Sequence, residues 1–250
     1  MWPYPKIVAH RGGGTLAPEN TLAGLRAGLA YGFRAVEFDV MLSQDGIGVV
    51  MHDPDFGRTV WGQGQVAETS AAALAKMDAG RWFGPEFRGE PVPLFLEFVD
   101  YCKEQRIWMN IEIKPVTGFE EETGSWVALT TRGRFGAEIA AGDPAAMPLL
   151  SSFSPVALAA ARDAVPELPR AYLLDRIPAD WEAQARELKA VAIHTNHKHL
   201  TPELAQAIKA AGFGLFCYTV NEAERARQIL DWGVDGFCTD RIDLIGPSFA

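Results

Sequence analysis

Seven side chains with reactive or charged groups stand at the ends of short apolar runs in the first half of the chain. They are His10, Arg11, Glu37, Asp39, His52, Glu112 and Lys114. Imidazole titrates near neutral pH, carboxylates bind hard cations, and guanidinium or ammonium groups neutralise phosphate. If the fold brings these groups together, they suit metal-assisted acid–base chemistry on a phosphate ester.

The three carboxylates form an all-oxygen set. Glu37 and Asp39 are two positions apart on one predicted strand, so their side chains share a face, as do those of Glu112 and Lys114. Converging carboxylates repel one another and raise their pKa values, whereas Mg²⁺ or Ca²⁺ would turn them into a cation site. Buried salt bridges with neighbouring basic residues are the alternative, and the convergence of three carboxylates favours a metal.

His10 and His52 are the natural general acid and base. A single histidine is more often structural, but two histidines beside a carboxylate cluster favour catalysis. Arg11 and Lys114 carry the charge that a phosphate group requires, and arginine can hold it with two hydrogen bonds. Both could instead balance the charge of the carboxylates, and the two roles can coexist.

The elements that position these residues alternate between short apolar strands and amphipathic helices. The predicted strands span residues 7–10, 35–40, 48–52, 108–114, 149–153, 171–174, 190–194, 215–220 and 236–239. Phe95, Phe98, Val99 and Cys102 follow the spacing of one buried helical stripe. Repeated strand–helix units in 250 residues favour a TIM (β/α)8 barrel of the α/β class, with a doubly wound sheet as the alternative.

Nine predicted strands are one more than an eight-stranded barrel needs. The surplus falls at Asp45-Gly46, a dipeptide that signals a two-residue hairpin loop. Such a loop would place Asp39 opposite His52 near the barrel mouth. Elsewhere Thr201-Pro202 predicts the start of a helix, and Asn221 with Glu224 resembles a capping box.

The segment 54–93 breaks the strand–helix rhythm and is rich in glycine and aromatic residues. A long gap inside a compact domain is usually functional. We therefore predict one domain over residues 1–250, with residues 54–93 as a small inserted lid.

Composition narrows the class of partner. The chain has 23 Lys and Arg against 32 Asp and Glu, a net charge of −9, which argues against nucleic acid and against a polybasic membrane surface. No apolar run is long enough to predict a membrane span, and no signal peptide is visible at Met1. Three cysteines without a CxxC pair are typical of a reducing compartment, so we predict a cytoplasmic protein. The pattern does not predict an oligomeric state.

Several weaker features accompany the main set. Gly12-Gly13-Gly14 lacks the features of a nucleotide loop and predicts a sharp backbone turn. The cluster of His194, His197 and His199 favours surface or hydrogen-bonding roles, with Asn196 and His197 as outer-site candidates. Phe153 and Tyr218 are candidates for the pocket floor, although filling the barrel core is the commoner role of such aromatic residues.

Together, the motifs span essentially the whole chain in a fixed order. They are His10-Arg11-Gly12, Pro18-Glu19-Asn20-Thr21, Glu37-Phe38-Asp39-Val40, Asp45-Gly46, His52-Asp53, Arg58-Thr59, Asp78-Ala79-Gly80, Glu112-Ile113-Lys114-Pro115, Ser151-Ser152-Phe153, Tyr218-Thr219-Val220-Asn221 and Thr239-Asp240. This set resembles the glycerophosphodiester phosphodiesterase family, in particular its bacterial cytoplasmic members. Tyr218 is the one departure, because relatives often carry tryptophan there.

The resemblance implies a TIM barrel with an insertion after His52-Asp53. It implies a divalent metal on Glu37, Asp39 and Glu112, acid–base work by His10 and His52, and phosphate binding by Arg11 and Lys114. Glu19 and Asn20 match the family signature, although they could equally cap the first helix.

The predicted reaction is hydrolysis of a small-molecule glycerophosphodiester, such as glycerophosphocholine or glycerophosphoethanolamine, to sn-glycerol 3-phosphate and an alcohol. Direct attack by water and attack by the glycerol 2-hydroxyl through a cyclic phosphate are both compatible with these residues. A phosphodiesterase of the same barrel type acting on lysophospholipids or sphingolipids is the nearest alternative. A non-catalytic barrel that binds phosphate esters is the second, and the paired histidines speak against it.

Overall fold

Eight parallel strands close into a barrel in the computed structural model, which describes residues 2–249. Met1 and Ala250, both within the predicted 1–250 domain, lie outside the described residues. The strands are β1 Ile7–His10, β2 Ala35–Leu42, β3 Gly48–Val50, β4 Trp108–Ile113, β5 Leu149–Ser152, β6 Arg170–Leu174, β7 Ala192–Asn196, β8 Gly214–Tyr218 and β9 Gly236–Thr239. The barrel order is β1-β2-β4-β5-β6-β7-β8-β9, and β9 pairs with β1 to complete the ring. The TIM barrel is confirmed, and the doubly wound sheet is excluded.

Helices connect the barrel strands and shield their outer faces. They are α1 Leu22–Ala30, α2 Ala71–Leu74, α3 Phe95–Glu104, α4 Glu120–Ala141, α5 Pro155–Ala164, α6 Trp181–Glu187, α7 Pro202–Ala210 and α8 Ala223–Asp231. On α3, the predicted stripe of Phe95, Phe98, Val99 and Cys102 is fully buried against the sheet. Each such phenylalanine contributes about 1.5–3 kcal/mol of burial free energy. No helix within residues 2–249 is both long and apolar enough to cross a membrane.

Thr201 starts α7 as the sequence predicts, because its hydroxyl accepts a hydrogen bond from the Leu204 amide. The predicted capping box at Asn221 is wrong. Helix α8 begins only at Ala223, and the Asn221 side chain bonds the end of β9 instead. The barrel brings Asp240 close to Asn221, and the hydrogen bonds with Asp240 replace those that a helix cap would make.

The surplus strand is β3, which pairs antiparallel with β2 outside the barrel ring. The predicted two-residue loop is wrong by one residue. Val40 pairs with Val50, and Ser43 pairs with Ile47, so three residues form the loop. The Ser43 hydroxyl accepts from the Ile47 amide and donates to Asp45, which stabilises the longer loop. Gly46 supplies the left-handed conformation that the third loop position requires, with φ of 71°.

The corrected register changes the position of His52 relative to Asp39. The Asp39 carbonyl accepts from the amide of Met51, so Met51 rather than His52 lies opposite Asp39. His52 is the next residue, just beyond the end of β3, and its side chain still reaches the barrel mouth.

The segment 54–93 packs on the β2–β3 hairpin and contains only short helical turns. Val60, Val66 and Leu74 are buried in one apolar cluster with Met41 of β2 and Val49 of β3. A second group of aromatic rings packs edge to face among its own members, Trp82 on Phe83 and Phe83 on Phe87. The segment is therefore anchored to the barrel by its own small core.

Candidate active site

The carboxyl ends of the strands enclose a cavity of about 190 Å³. Six of the seven residues that the sequence singles out line it: His10, Arg11, Glu37, His52, Glu112 and Lys114. Asp39, the seventh, is 1% exposed and lies behind Arg11 and Lys114. A larger groove of about 800 Å³ lies at the opposite end of the barrel, but no histidine or carboxylate lines it. The candidate catalytic residues therefore lie at the smaller cavity.

The sheet register brings the three carboxylates together. His10 on β1 pairs with Glu37 on β2, and Asp39 pairs with Glu112 on β4. Each of Glu37, Asp39 and Glu112 offers an oxygen, and these oxygens lie within 4.8 Å of one another. This spacing is that of ligands around one cation.

Two cations and one amide surround Asp39. Arg11 Nε lies 3.5 Å from Asp39 Oδ2, and Lys114 Nζ lies 3.5 Å from Oδ1. Asn20 donates to Oδ2 at 2.8 Å. Burial opposes ionisation of Asp39, but Arg11 and Lys114 outweigh it and hold the pKa of the carboxyl below its ordinary value.

The negative charges of Glu37 and Glu112 are less well compensated by neighbouring positive charges than that of Asp39. Burial, reinforced by the charges of Asp39 and Glu112, raises the pKa of Glu37 well above its ordinary value. Burial and the charge of Asp39 raise the pKa of Glu112 to about 7, although Lys114 Nζ is 3.7 Å away. Among the described residues, Asp39 Oδ1 has no hydrogen-bond partner. A divalent cation fits this set, because it would supply both the missing charge and the missing partner.

His10 is held by a carboxylate from the last strand. Its Nδ1 donates to Asp240 Oδ1 at 2.5 Å, which leaves Nε2 as the proton-accepting atom. Asp240 is fixed in turn by Asn221, whose amide donates to Oδ2 at 2.9 Å and whose oxygen accepts from the Asp240 backbone. Burial opposes the charge of Asp240, but the bond from His10 dominates and lowers the pKa of that carboxyl.

His52 has the same arrangement with its sequence neighbour. Its Nδ1 donates to Asp53 Oδ1 at 2.6 Å, and Arg58 Nε donates to Asp53 Oδ2 at 2.6 Å. Burial lowers the pKa of His52, partly offset by Asp39, and the nearby Arg11 lowers it further. His52 is therefore held in its neutral form at neutral pH.

Glu19 connects Arg11, which lines the cavity, with Arg58, which donates to the carboxylate partner of His52. It accepts from Arg11 at 2.8 Å and from both terminal nitrogens of Arg58 at 2.7 and 2.8 Å. Glu19 and Asn20 do not cap α1; that role belongs to Thr21, whose hydroxyl accepts from the Gly24 amide. Arg58 comes from the segment 54–93, so this segment takes part in orienting both Arg11 and His52.

The remaining pocket candidates divide into two groups. Phe153 and Tyr218 line the cavity, with ring centroids 5.8 Å apart and planes at 84°. Burial, followed by the charges of Asp175 and Glu112, raises the pKa of Tyr218, so its hydroxyl lies within electrostatic reach of both.

Asn196 and His197 do not line the cavity. Asn196 donates to Asp175, and His197 accepts hydrogen bonds from Arg225. The role of His197 is thus one of hydrogen bonding, and neither residue reaches the reacting centre.

The structure gives His194 a different role from the surface or hydrogen-bonding role that the sequence predicts. It points into the barrel, is 1% exposed, lines the cavity and packs 4.7 Å from the Phe216 ring. Among the described residues, its Nε2 has no hydrogen-bond partner. Burial lowers the pKa of His194 to about 3, so it is neutral in the folded protein.

Sequence reasoning missed Asp240, Asn221 and Arg58 as functional positions, although each lies in a family motif. A signal for Asp240 was available: a closed barrel places the last strand beside the first, and Ala9 pairs with Thr239. The residue after each then meets its counterpart, His10 with Asp240.

A parallel barrel whose mouth combines a carboxylate cluster, two histidines and two basic residues is an enzyme architecture for phosphate esters. The chain belongs to the glycerophosphoryl diester phosphodiesterase family, whose family model matches residues 10–244.

Several relatives align over nearly their full lengths. A glycerophosphodiester phosphodiesterase of Caldanaerobacter subterraneus is 30% identical over 239 residues, covering 94% of this chain and 93% of the relative. A phosphodiesterase structure from Oleispira antarctica, in complex with its product sn-glycerol-3-phosphate, is 34% identical with a TM-score of 0.85, covering 94% and 93% of the two chains. A glycerophosphodiester phosphodiesterase structure from Agrobacterium tumefaciens is 28% identical with a TM-score of 0.80, covering 96% and 98%.

Proposed function

We propose that the protein hydrolyses glycerophosphodiesters, such as glycerophosphocholine, to sn-glycerol 3-phosphate and an alcohol, with a divalent metal ion. One observation carries this proposal. Oxygens of Glu37, Asp39 and Glu112 lie within 4.8 Å of one another, at the edge of a cavity that two histidines and two basic residues line. The family membership and the product named for the Oleispira antarctica relative support the substrate class.

Glu37, Asp39 and Glu112 would hold the metal, with one oxygen each. A bound Mg²⁺ or Ca²⁺ supplies Lewis-acid activation of a phosphoryl oxygen and a template for the substrate. Asn20 and Arg11 keep Asp39 ionised and oriented for that purpose.

Arg11 and Lys114 would bind the phosphate oxygens and stabilise the charge that builds up on them. Both groups already line the cavity, and both are tethered by carboxylates rather than free to move. The tether to Glu19 keeps Arg11 directed at the mouth, so less entropy is lost when the substrate binds.

His10 and His52 would move the protons. Each donates from Nδ1 to a carboxylate, Asp240 or Asp53, and keeps Nε2 for proton transfer. One imidazole accepts the proton of the attacking hydroxyl, and the other, as imidazolium, protonates the departing alcohol oxygen. The carboxylates stabilise whichever imidazole is charged at that step.

The segment 54–93 is proposed as an inserted lid of a single domain. Arg58 connects it to Glu19 and Asp53 at the edge of the cavity, and its apolar cluster anchors it to β2 and β3. We also propose a cytoplasmic location, because Cys102, Cys217 and Cys238 are all buried free thiols, as is typical of a reducing compartment. Fractionation of cells producing the tagged protein tests the location.

The decisive assay measures free glycerol 3-phosphate and choline. Purified protein is incubated with glycerophosphocholine or with a lysophospholipid, in Mg²⁺, in Ca²⁺ and in chelator. Turnover of glycerophosphocholine that chelator abolishes is the expected result. Preferential turnover of the lysophospholipid would instead establish the lipid-directed alternative, and metal-independent or absent turnover of both would contradict the proposal.

A further inference from the structure

A groove at the end of the barrel opposite to the candidate active site carries none of the residues assigned above. Its volume is about 800 Å³, against about 190 Å³ for the catalytic cavity. The segment that precedes β1 and the chain that enters β7 and β8 border it, with Tyr4, Val191 and Gly214 among its lining residues. Ligand sites of proteins commonly enclose about 300–1,000 Å³, so this groove is large enough for a small organic molecule.

Positive charge dominates the lining of the groove. Arg186, Lys189 and Lys209 line it, and no Asp or Glu is found among the lining residues that the structure describes. This balance reverses that of the whole chain, which has 32 acidic and 23 basic residues. Arg186 and Lys209 lie in the last turns of α6 and α7, where cations also complement the helix dipole. The fold brings these two helix ends together and concentrates three cations on one surface.

The neighbouring carboxylates leave one of these cations unpaired. Arg186 is paired with Glu182 at 2.6 Å, and Lys209 is paired with Asp235. Lys189 is exposed and has no carboxylate within 4.0 Å in residues 2–249. Its ammonium group is therefore available to an anion from solution.

A buried arginine behind the groove adds to the positive field. Arg170, at the start of β6, is 3% exposed, and its guanidinium donates to backbone oxygens, those of Leu168, Leu188 and Lys189 among them. Within the described part of the chain, no carboxylate lies within 4.0 Å of this guanidinium. A buried positive charge without a counter-ion is costly, and an anion bound beside Lys189 would lower that cost.

The groove also offers an apolar surface beside the cations. Trp2 is half-buried, and its indole lines the groove and stacks on Phe216 with centroids 5.9 Å apart. Val191 is 45% exposed. Phe213 forms part of the wall, and the guanidinium carbon of Arg186 lies 5.3 Å from its ring centroid. A ligand that covered these groups would bury apolar area and bring its charge close to Arg186.

We propose that this groove is a binding site for a small anion with a flat apolar body, a chemistry that nucleoside monophosphates and aromatic carboxylates share. The anionic group would lie against Lys189 and Arg186, because these are the side-chain types that bind phosphate and carboxylate. The ring system would lie against Trp2 and Val191. The proposal goes beyond the phosphodiesterase function and does not depend on it, since the groove and the catalytic cavity share no lining residue.

The test is a fluorescence titration with 8-anilinonaphthalene-1-sulfonate, a sulfonate on a flat ring system. Its uncharged parent, N-phenyl-1-naphthylamine, measures binding without the charge. We expect wild type to bind the sulfonate more tightly than the parent. Lys189→Gln should weaken sulfonate binding about threefold to tenfold, the worth of one charged contact, and should leave binding of the parent unchanged. Adding Arg186→Gln to this variant should weaken sulfonate binding further.

Two other variants establish where the probe binds. Lys76→Gln is the matched control, because Lys76 is an exposed lysine of the segment 54–93. Lys114→Gln removes a cation from the catalytic cavity. Both variants should bind the sulfonate as wild type does. A loss of binding in Lys114→Gln without a loss in Lys189→Gln would place the probe in the catalytic cavity and overturn the proposal. Equal binding by all variants would overturn it as well.

Competition identifies the source of the anion. Adenosine monophosphate and 1-naphthoate are added as competitors, with adenosine and inorganic sulfate as controls at matched ionic strength. We expect at least one of the two organic anions to displace the probe from wild type, and to do so less effectively from Lys189→Gln. The stronger competitor assigns the site to a nucleotide or to an aromatic carboxylate. Displacement by neither of them, or equally effective displacement by sulfate or adenosine, contradicts a site that requires both the charge and the ring.

Discussion

The imidazole of His10 and the carboxylate of Asp240 are 2.5 Å apart, although 230 positions of sequence separate them. The pairing of β1 with β9 brings them together, and the Asn221 amide fixes Asp240 from the other side. A charge-assisted hydrogen bond of this kind sets both the tautomer and the orientation of the imidazole. His10 is therefore positioned by the residue that directly follows the last strand.

Asp240→Asn tests this relationship. The amide keeps the shape of the carboxylate but loses the charge that stabilises an imidazolium, so we expect kcat to fall about tenfold or more, with a smaller change in KM. Asp243→Asn, an exposed aspartate paired with Arg241, is the control and should behave as wild type.

Replacing either histidine should cost more. His10→Ala and His52→Ala each remove a proposed proton-transfer group and should each lower kcat by at least ~10²-fold. His199→Ala serves as the control, because His199 does not line the cavity and its imidazole faces the exposed carboxylate of Asp175. Wild-type rates in either of the first two variants would remove that histidine from the mechanism.

Arg58 should matter although it is exposed and lies in the inserted segment. Arg58→Gln removes hydrogen bonds to Glu19 and Asp53, and thereby loosens both Arg11 and His52. We expect kcat/KM to fall about tenfold, the worth of one or two charged hydrogen bonds. Arg88→Gln changes an exposed arginine of the same segment and should have no effect. Equal losses in the two variants would indicate a general effect of charge.

Metal affinity should increase with pH. Without a cation, burial and mutual repulsion raise the pKa of Glu112 to about 7 and that of Glu37 well above its ordinary value. Protons therefore compete with the metal below neutrality, and affinity should weaken by up to about tenfold per pH unit for each proton displaced. Calorimetric titration of Mg²⁺ and of Ca²⁺ at pH 6, 7 and 8 checks this. A flat pH dependence would show that the carboxylates are already ionised.

His194 should make the fold sensitive to acid. Its pKa is about 3 in the folded state against an ordinary value of 6.5, so the unfolded chain binds a proton that the folded chain does not. Its contribution to stability is present above pH 6.5 and is lost as the pH falls towards 3, by about 1.4 kcal/mol per unit. Denaturation of wild type and His194→Leu at pH 7, 6, 5 and 4 measures the difference. Parallel stability curves would contradict the prediction.

The barrel could be predicted because local sequence patterns indicate its strands and helices. Apolar runs, helical stripes such as that of Phe95 and Phe98, and the cap at Thr201 need only their sequence neighbours. The catalytic candidates follow from the same logic, since parallel strands present their carboxyl ends at one mouth. What escaped prediction depends on particular side-chain contacts, some within a loop and others between residues far apart in the sequence.

Three particular errors illustrate the limit. The hairpin register shifted because the Ser43 side chain bonds within the loop and stabilises a third residue there. The predicted surface or hydrogen-bonding role of His194 is wrong because its orientation depends on which side of β7 faces the barrel interior. Asn221 was read as a helix cap because its real partner, Asp240, is 19 positions away.

The pairing of β9 with β1 also determines when, during synthesis of the chain, His10 can meet its partner. Synthesis proceeds from the amino end, so His10 is made 230 residues before Asp240, the carboxylate that anchors it. The strands β2 and β4, which carry the acidic cluster, are likewise synthesised before Asp240. His10 therefore acquires its anchoring carboxylate only after β9 has been synthesised, and a chain interrupted before β9 would carry the carboxylate cluster without the anchor of His10.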